Sequence, residues 1–153
     1  MSGSHSFVRC EPSAEHPGWF EWHVGSESRY NQAVLGRQIV RRDEDGRCRH
    51  RMMPHVQLTN AADIIHGGAI LGLSDVSMFS ALYLLSDVDA GQAVTLDLQA
   101  QFMAPGDPAE PVDAVVELLK ETRRIAFLRG TVVQGEAVIA AYTGTVRKPS
   151  SRS

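Results

Sequence analysis

The segment Asn60-Ala61-Ala62-Asp63-Ile64-Ile65-His66-Gly67-Gly68 continues through Ala69-Ile70-Leu71-Gly72-Leu73-Ser74-Asp75 to about Leu85, and its reading decides the fold. Between His66 and Asp87 the only formal charge is Asp75, while Ile70, Leu71, Leu73, Val76, Met78, Phe79, Leu82, Leu84 and Leu85 fall on every side of a helical wheel. A helix apolar all round is a buried one. An unpaired carboxylate is costly to bury, so a lone Asp in such a helix is either paired or kept for chemistry. At the helix start, Gly67 and Gly68 let a ligand approach amides that have no partner within the helix. Those amides, with the positive end of the helix dipole, suit an oxygen carrying negative charge. Gly67 and Asp75 are separated by about 12 Å along one helix, at about 1.5 Å per residue. One small reacting group cannot touch both. If a single reaction uses both, the second comes from another copy of the chain, most simply in a two-fold dimer with the helices antiparallel.

Beyond the helix the period changes. Val94, Leu96, Leu98, Ala100 and Phe102 alternate with Thr95, Asp97, Gln99, Gln101 and Met103, the pattern of a strand with one buried face. Pro105-Gly106-Asp107-Pro108 ends it, and Val112–Lys120, Arg124–Gln134 and Ala137–Arg147 read as further strands whose short connections make them antiparallel neighbours. Before the helix, Tyr30–Leu35 reads as a short helix ended by Gly36, and Arg37–Arg42 and Arg47–Met53 as a hairpin turning at Asp45-Gly46. Pro54 stops the second strand, and Asp63 is available as a turn or N-cap residue. The expected architecture is α+β, an antiparallel sheet wrapped around one long central helix. Residues 1–34 are read as an N-terminal extension, 35–148 as the domain and 149–153 as a polar tail.

Two segments resist the simple pattern. Met1–Glu15 is small and polar and is expected to be a loose terminus, whereas Trp19-Phe20-Glu21-Trp22 carries more apolar area than a solvated arm. Packing on its own domain is the favoured expectation, ahead of lining a ligand tunnel or a subunit interface. The hairpin is basic through Arg37, Arg41, Arg42, Arg47, Arg49 and Arg51. A solvated face of alternating charge is expected there, with a landing surface for substrate phosphates as the lesser alternative.

Composition narrows the class. A chain of 153 residues, 43% hydrophobic, is enough for one well-buried core and too short for two ordinary domains. The net charge of -3 is spread over mixed signs without a basic stripe, which argues against nucleic acid as a partner. Met1–Pro12 holds no apolar run of signal type, and the long apolar segment is broken by Ser74, Asp75, Ser77 and Ser80, so no membrane partner and a cytoplasmic location are expected. Cys10 and Cys48 suggest plain thiols, and the six histidines show no HExxH spacing, so neither a metal nor a cofactor is expected. Gly72-Leu73-Ser74-Asp75-Val76 lacks the second Gly of a nucleophile elbow, and no phosphate-binding glycine loop is present.

Asn60, then His66-Gly67-Gly68, then Asp75, then Val94-Thr95-Leu96-Asp97 leading to Phe102-Met103-Ala104-Pro105, resembles the hotdog-fold acyl-CoA thioesterases of the phenylacetate-pathway and 4-hydroxybenzoyl-CoA type. The resemblance covers about Leu35 to Lys148. It implies that Asp75 is the catalytic carboxylate, as nucleophile or as general base on water, and that the Gly67 N–H polarises the thioester carbonyl. It implies further that Asn60 positions the thioester or water, that Thr95 holds the hydrolytic water, and that acid and amide of one site belong to different subunits of a dimer or dimer of dimers. His66 is given an orienting role beside Gly68, and Met78, Phe79, Leu82 and Tyr83 are candidates to line an acyl pocket, with core packing expected for at least half of them. Two departures stand out: Asp63 where relatives often have Gly, and Glu121-Thr122-Arg123-Arg124 where they often have a Gly-Arg pair.

Hydrolysis of an acyl-CoA ester is therefore the expected activity. A non-catalytic acyl-CoA binding module is the alternative, and retention of both Asp75 and Gly67 speaks against it. A hydratase of the same fold would need a His–acid arrangement for proton transfer, and no such dyad is evident.

Overall fold

The apolar stretch does form one helix, and the rest of the chain is laid around it. The structure is a computed structural model that describes residues 7–150. The extreme ends of the expected N-terminal arm and C-terminal tail, residues 1–6 and 151–153, lie outside the described residues. In chain order the elements are β1 (Val8–Pro12), β2 (Phe20–Val24), α1 (Tyr30–Ala33), β3 (Gln38–Arg42), β4 (Cys48–Met52), α2 (Gly67–Ser86), β5 (Val94–Phe102), β6 (Val112–Glu121), β7 (Ile125–Gln134) and β8 (Ala137–Arg147). Among the described residues the eight strands make a single antiparallel sheet in the order β1-β2-β3-β4-β6-β7-β8-β5.

The sheet grips α2 on one side. Ile70, Leu73, Met78, Ala81 and Leu82 have essentially no exposed surface and pack against inward-facing Cys48, Met52, Val112, Ala114, Val116, Ala126, Leu128, Val132, Ala140 and Val146. Each large side chain so buried stabilises the fold by about 1.5–3 kcal/mol. The helix was expected to be buried all round, and here the structure differs. A stripe formed by Gly68, Leu71, Gly72, Asp75, Phe79 and Tyr83 is exposed or half-buried, with Leu71 at 37%. One sheet covers one side of a helix, so an apolar stripe on the other side is left for something else.

The serines that interrupt the apolar run are buried and paired. Ser74 Oγ donates to the Ile70 carbonyl at 2.8 Å, and the Ser77 and Tyr142 hydroxyls lie 2.6 Å apart. Ser80 Oγ lies 2.8 Å from His50 Nδ1, and His50 Nε2 lies 2.9 Å from Gln38 Oε1. Gln38 Oε1 can only accept, so His50 carries its proton on Nε2 and takes a hydrogen bond from Ser80 on Nδ1. Complete burial lowers the His50 pKa to about 3, which keeps the ring neutral.

The N-terminal arm is a correction. Rather than a loose terminus, Val8–Pro12 is a strand paired in register with Phe20–Val24, Cys10 opposite Trp22. Its order comes from tertiary contact: Trp22 is fully buried in a second cluster with Val8, Val40 and Ala90, and meets Tyr83 edge-on at 5.4 Å between centroids. The aromatics thus dock on the domain itself. On the outer face of the sheet Trp19 packs against Arg41 and Arg51, whose guanidinium carbons lie 4.5 and 4.7 Å from its ring centroid.

Five of the six arginines of the basic hairpin are accounted for by ion pairs. Arg37 pairs with Glu15 and Glu21, Arg41 with Asp43, Arg47 with Asp45, Arg49 with Asp43 and Asp113, and Arg51 with Asp113. These five charges are already held by carboxylates and are not free to receive substrate phosphates; the sixth, Arg42, stands across the ladder from core residue Cys48, is exposed and makes no ion pair among the described residues.

Candidate active site

The approach to α2 is a built turn. Asn60 Oδ1 accepts from the Ala62 and Ile64 amides at 2.9 and 3.4 Å, and Asp63 takes a left-handed conformation with φ 56°. Asn60 therefore shapes the loop before the helix, and its side-chain NH2 is free of protein partners among the described residues. Asp63 is a turn residue, and His66 is the N-cap: its Nδ1 accepts from the Gly68 amide at 2.8 Å. With Gly68 so used, the half-buried Gly67 amide is left as the unpaired donor at the helix start, beside the ring of Phe102.

Gly67 and Asp75 lie on the same helix, as expected. Asp75 is half-buried on the open stripe, and the Thr95 hydroxyl donates to its Oδ1 at 2.6 Å. Burial pushes the Asp75 carboxyl above its usual value, and the Thr95 hydrogen bond works in the opposite direction. A carboxylate poised in this way is more basic than a solvated one and still holds a hydroxyl in place.

Thr95 reaches Asp75 through an irregularity that alternation does not reveal. The β5–β8 register pairs Thr95 with Val146 and then Asp97 with Thr145, so Leu96 is an extra residue in the strand. The bulge resets the phase, so that Thr95 faces α2 and Leu98 and Ala100 also face the core. Without it, Thr95 and Leu98 would point to opposite faces. The expected single buried face of β5 is also revised: Val94, Leu96 and Phe102 are 45%, 53% and 53% exposed. Among the described residues β5 pairs only with β8, which leaves its outer edge open.

The other candidates separate. Met78 and Leu82 have no exposed surface and belong to the core beneath α2, so neither lines an open pocket. Phe79 and Tyr83 stand half-buried on the stripe that bears Asp75. Among the described residues no group of three or more His, Cys, Asp or Glu could hold a metal ion. Tyr30, read from the sequence only as the start of a short helix, reaches α2 at Gly72.

A long helix wrapped by an antiparallel sheet, with a half-buried acid on its open stripe, is the build of a hotdog thioesterase. Residues 55–147, more than half of the chain, match the family of the acyl-CoA thioesterase N-terminal domain, and the chain belongs to that family. Among curated proteins none matches. Of solved structures, the conserved protein PA5202 of Pseudomonas aeruginosa is 26% identical, covering 79% of this chain and 94% of its own, with a TM-score of 0.68. The BH2602 protein of Bacillus halodurans, solved with CoA, is 27% identical over 74% of each chain, with a TM-score of 0.62. The PaaI protein of the E. coli phenylacetic acid degradation operon shares the fold at 17% identity, covering 81% of this chain and 87% of its own, with a TM-score of 0.66. The protein is an acyl-CoA thioesterase.

Proposed function

We propose that the protein hydrolyses acyl-CoA esters in the cytoplasm at a site shared between two subunits, as a dimer or a dimer of dimers. The observation that carries this reading is Asp75, half-buried and hydrogen-bonded to Thr95, on an apolar stripe that its own sheet leaves uncovered. Asp75 delivers or activates the attacking oxygen. The Gly67 amide of a second chain, about 12 Å from its own Asp75 by helix rise, stabilises the oxyanion of the tetrahedral intermediate. The open edge of β5 supports the pairing, because a long unpaired strand with exposed Val94, Leu96 and Phe102 is a template for a second copy.

The CoA end has a basic surface to meet. Arg147 stands across the ladder from both Val94 and Ile125, and Arg123 and Arg124 occupy the adjoining β6–β7 turn. None of the three makes an ion pair among the described residues, in contrast to Arg37, Arg41, Arg47, Arg49 and Arg51. They offer charge for phosphates next to the strand that carries Thr95.

A thiol-release assay over a panel of CoA esters tests the function. Wild type is expected to release CoA, and Asp75→Asn to lose at least about a hundredfold of turnover, the usual weight of a positioned acid or base. Tight binding of the esters without release by wild type would instead identify a binding module.

A further inference from the structure

The N-terminal segment does more than extend the sheet: it sends one side chain across the open stripe of α2. Tyr30 begins the single turn α1, and its carbonyl is pinned by the Val34 and Leu35 amides at 2.9 and 3.2 Å. Leu35 is fully buried, so the turn is anchored. The Tyr30 ring is 51% exposed, yet its hydroxyl lies 2.6 Å from where a Cβ on Gly72 would sit, with the ring carbon that bears it at 3.5 Å. That hydroxyl has no hydrogen bond among the described residues. A Cβ at 72 would force the hydroxyl to move.

Gly72 precedes Asp75 by one turn, and residues three apart are neighbours on a helix surface, about 5–6 Å between Cβ positions. Tyr30 and Thr95 approach Asp75 from opposite sides, because α1 leads into β3 while Thr95 lies on β5 at the far edge of the sheet. At about 100° per residue, Gly72, Phe79 and Tyr83 fall within about 20° of one line along α2, with Asp75 about 60° to one side. Tyr30, Phe79 and Tyr83 therefore form an aromatic rail beside the carboxylate, and Trp22 backs its far end at Tyr83.

We propose that Tyr30 is a specificity-determining residue of this site: its ring is the wall that the first carbons of the acyl group meet on leaving the thioester at Asp75. The inference rests on the reading of Asp75 as the reacting carboxylate. A flat wall at that point favours acyl groups that are straight or planar next to the carbonyl and excludes those branched there.

The test compares butyryl-CoA with its branched isomer isobutyryl-CoA, by kcat/KM and, in the Asp75→Asn background, by Kd. Tyr30→Ala is expected to raise the branched-to-straight ratio by about tenfold or more, the scale at which one methylene is read by an apolar pocket. Tyr30→Phe keeps the ring and is expected to hold the wild-type ratio. Gly72→Ala must displace the hydroxyl and is expected to change the ratio in wild type, but far less in the Tyr30→Phe background, where the hydroxyl clash is gone and only the 3.1 Å approach of Leu35 Cδ2 remains. An equal loss for both esters in Tyr30→Ala, or an altered oligomeric state with an unchanged ratio, would overturn the proposal by making Tyr30 a scaffold or interface residue. If wild type hydrolyses neither of these two esters, the panel assay still decides the thioesterase reading by itself, and a shifted Kd ratio would still uphold the wall. An unshifted Kd ratio, or no binding of either ester, would overturn it.

Discussion

Thr95 donates its hydroxyl hydrogen to Asp75 Oδ1 across 2.6 Å, from the strand residue just before a bulge to the middle of α2. This hydrogen bond favours the ionised acid, whereas burial favours the protonated one. Removing it leaves burial unopposed. Thr95→Val should therefore move the acid limb of the kcat/KM profile, where activity rises with pH, to higher pH than in wild type. An unmoved or lowered limb would show that Asp75 does not set it.

The same balance reaches stability. The carboxyl has a higher pKa folded than unfolded, so the folded state holds its proton longer, and Asp75 costs stability as pH rises through and above that interval. Asp75→Asn should melt higher than wild type at neutral pH, and the gap should close as pH falls below the carboxylate range. Thermal unfolding at several pH values checks the sign. A variant less stable than wild type at neutral pH would contradict it.

Gly67 permits a substitution that removes one atom of interest and little else. Proline is favoured at the first helical position because it lacks an N–H and has helical φ, and His66 at φ -63°, ψ 138° already has the extended backbone that a following proline requires. A side chain there meets only Phe102, at an ordinary 3.5 Å. Gly67→Pro should keep the fold and lose about a hundredfold or more of turnover, as when an oxyanion donor is deleted.

Mixing that variant with Asp75→Asn then asks whose amide serves whose acid. After verified subunit exchange about half the dimers are mixed, and each has one site with both groups intact, so recovery of about a quarter of wild-type activity is expected by symmetry. No recovery, with wild type surviving the same treatment, would place the whole site within one chain.

Away from the site, the Gln38–His50–Ser80 chain offers a test of packing. Ser80→Ala removes the donor to His50 Nδ1 and leaves a buried acceptor unpaired, at a cost of about 1–3 kcal/mol. Denaturant unfolding measures it. A cost near zero would mean that His50 has another partner.

Sequence disclosed most where local pattern and burial coincide. The apolar run from Gly67, the Asp45-Gly46 turn and the strand-like runs with short connections after Pro108 located these elements within a few residues, and Gly67 and Asp75 fell on one helix as expected. Three features escaped because their causes are not local. Val8–Pro12 is a strand only because Trp22 and Phe20 pair with it. The N-cap went to His66 because the turn made by Asn60 uses Asp63 in a left-handed conformation. The bulge at Leu96 is invisible in an alternation that runs unbroken from Val94 to Phe102, since only pairing with β8 shows the extra residue. Tyr30 was passed over because its partner is a glycine, which leaves no mark in a hydrophobic pattern.

The strand order has a further consequence during synthesis. α2 packs mainly on β4 and β6, which are neighbours in the sheet but lie on opposite sides of the helix in the chain. On a ribosome adding about 5–20 residues per second, β6 follows the helix by seconds. In that interval the nascent chain presents a helix long and apolar enough to cross a membrane, with half of its cradle still to emerge.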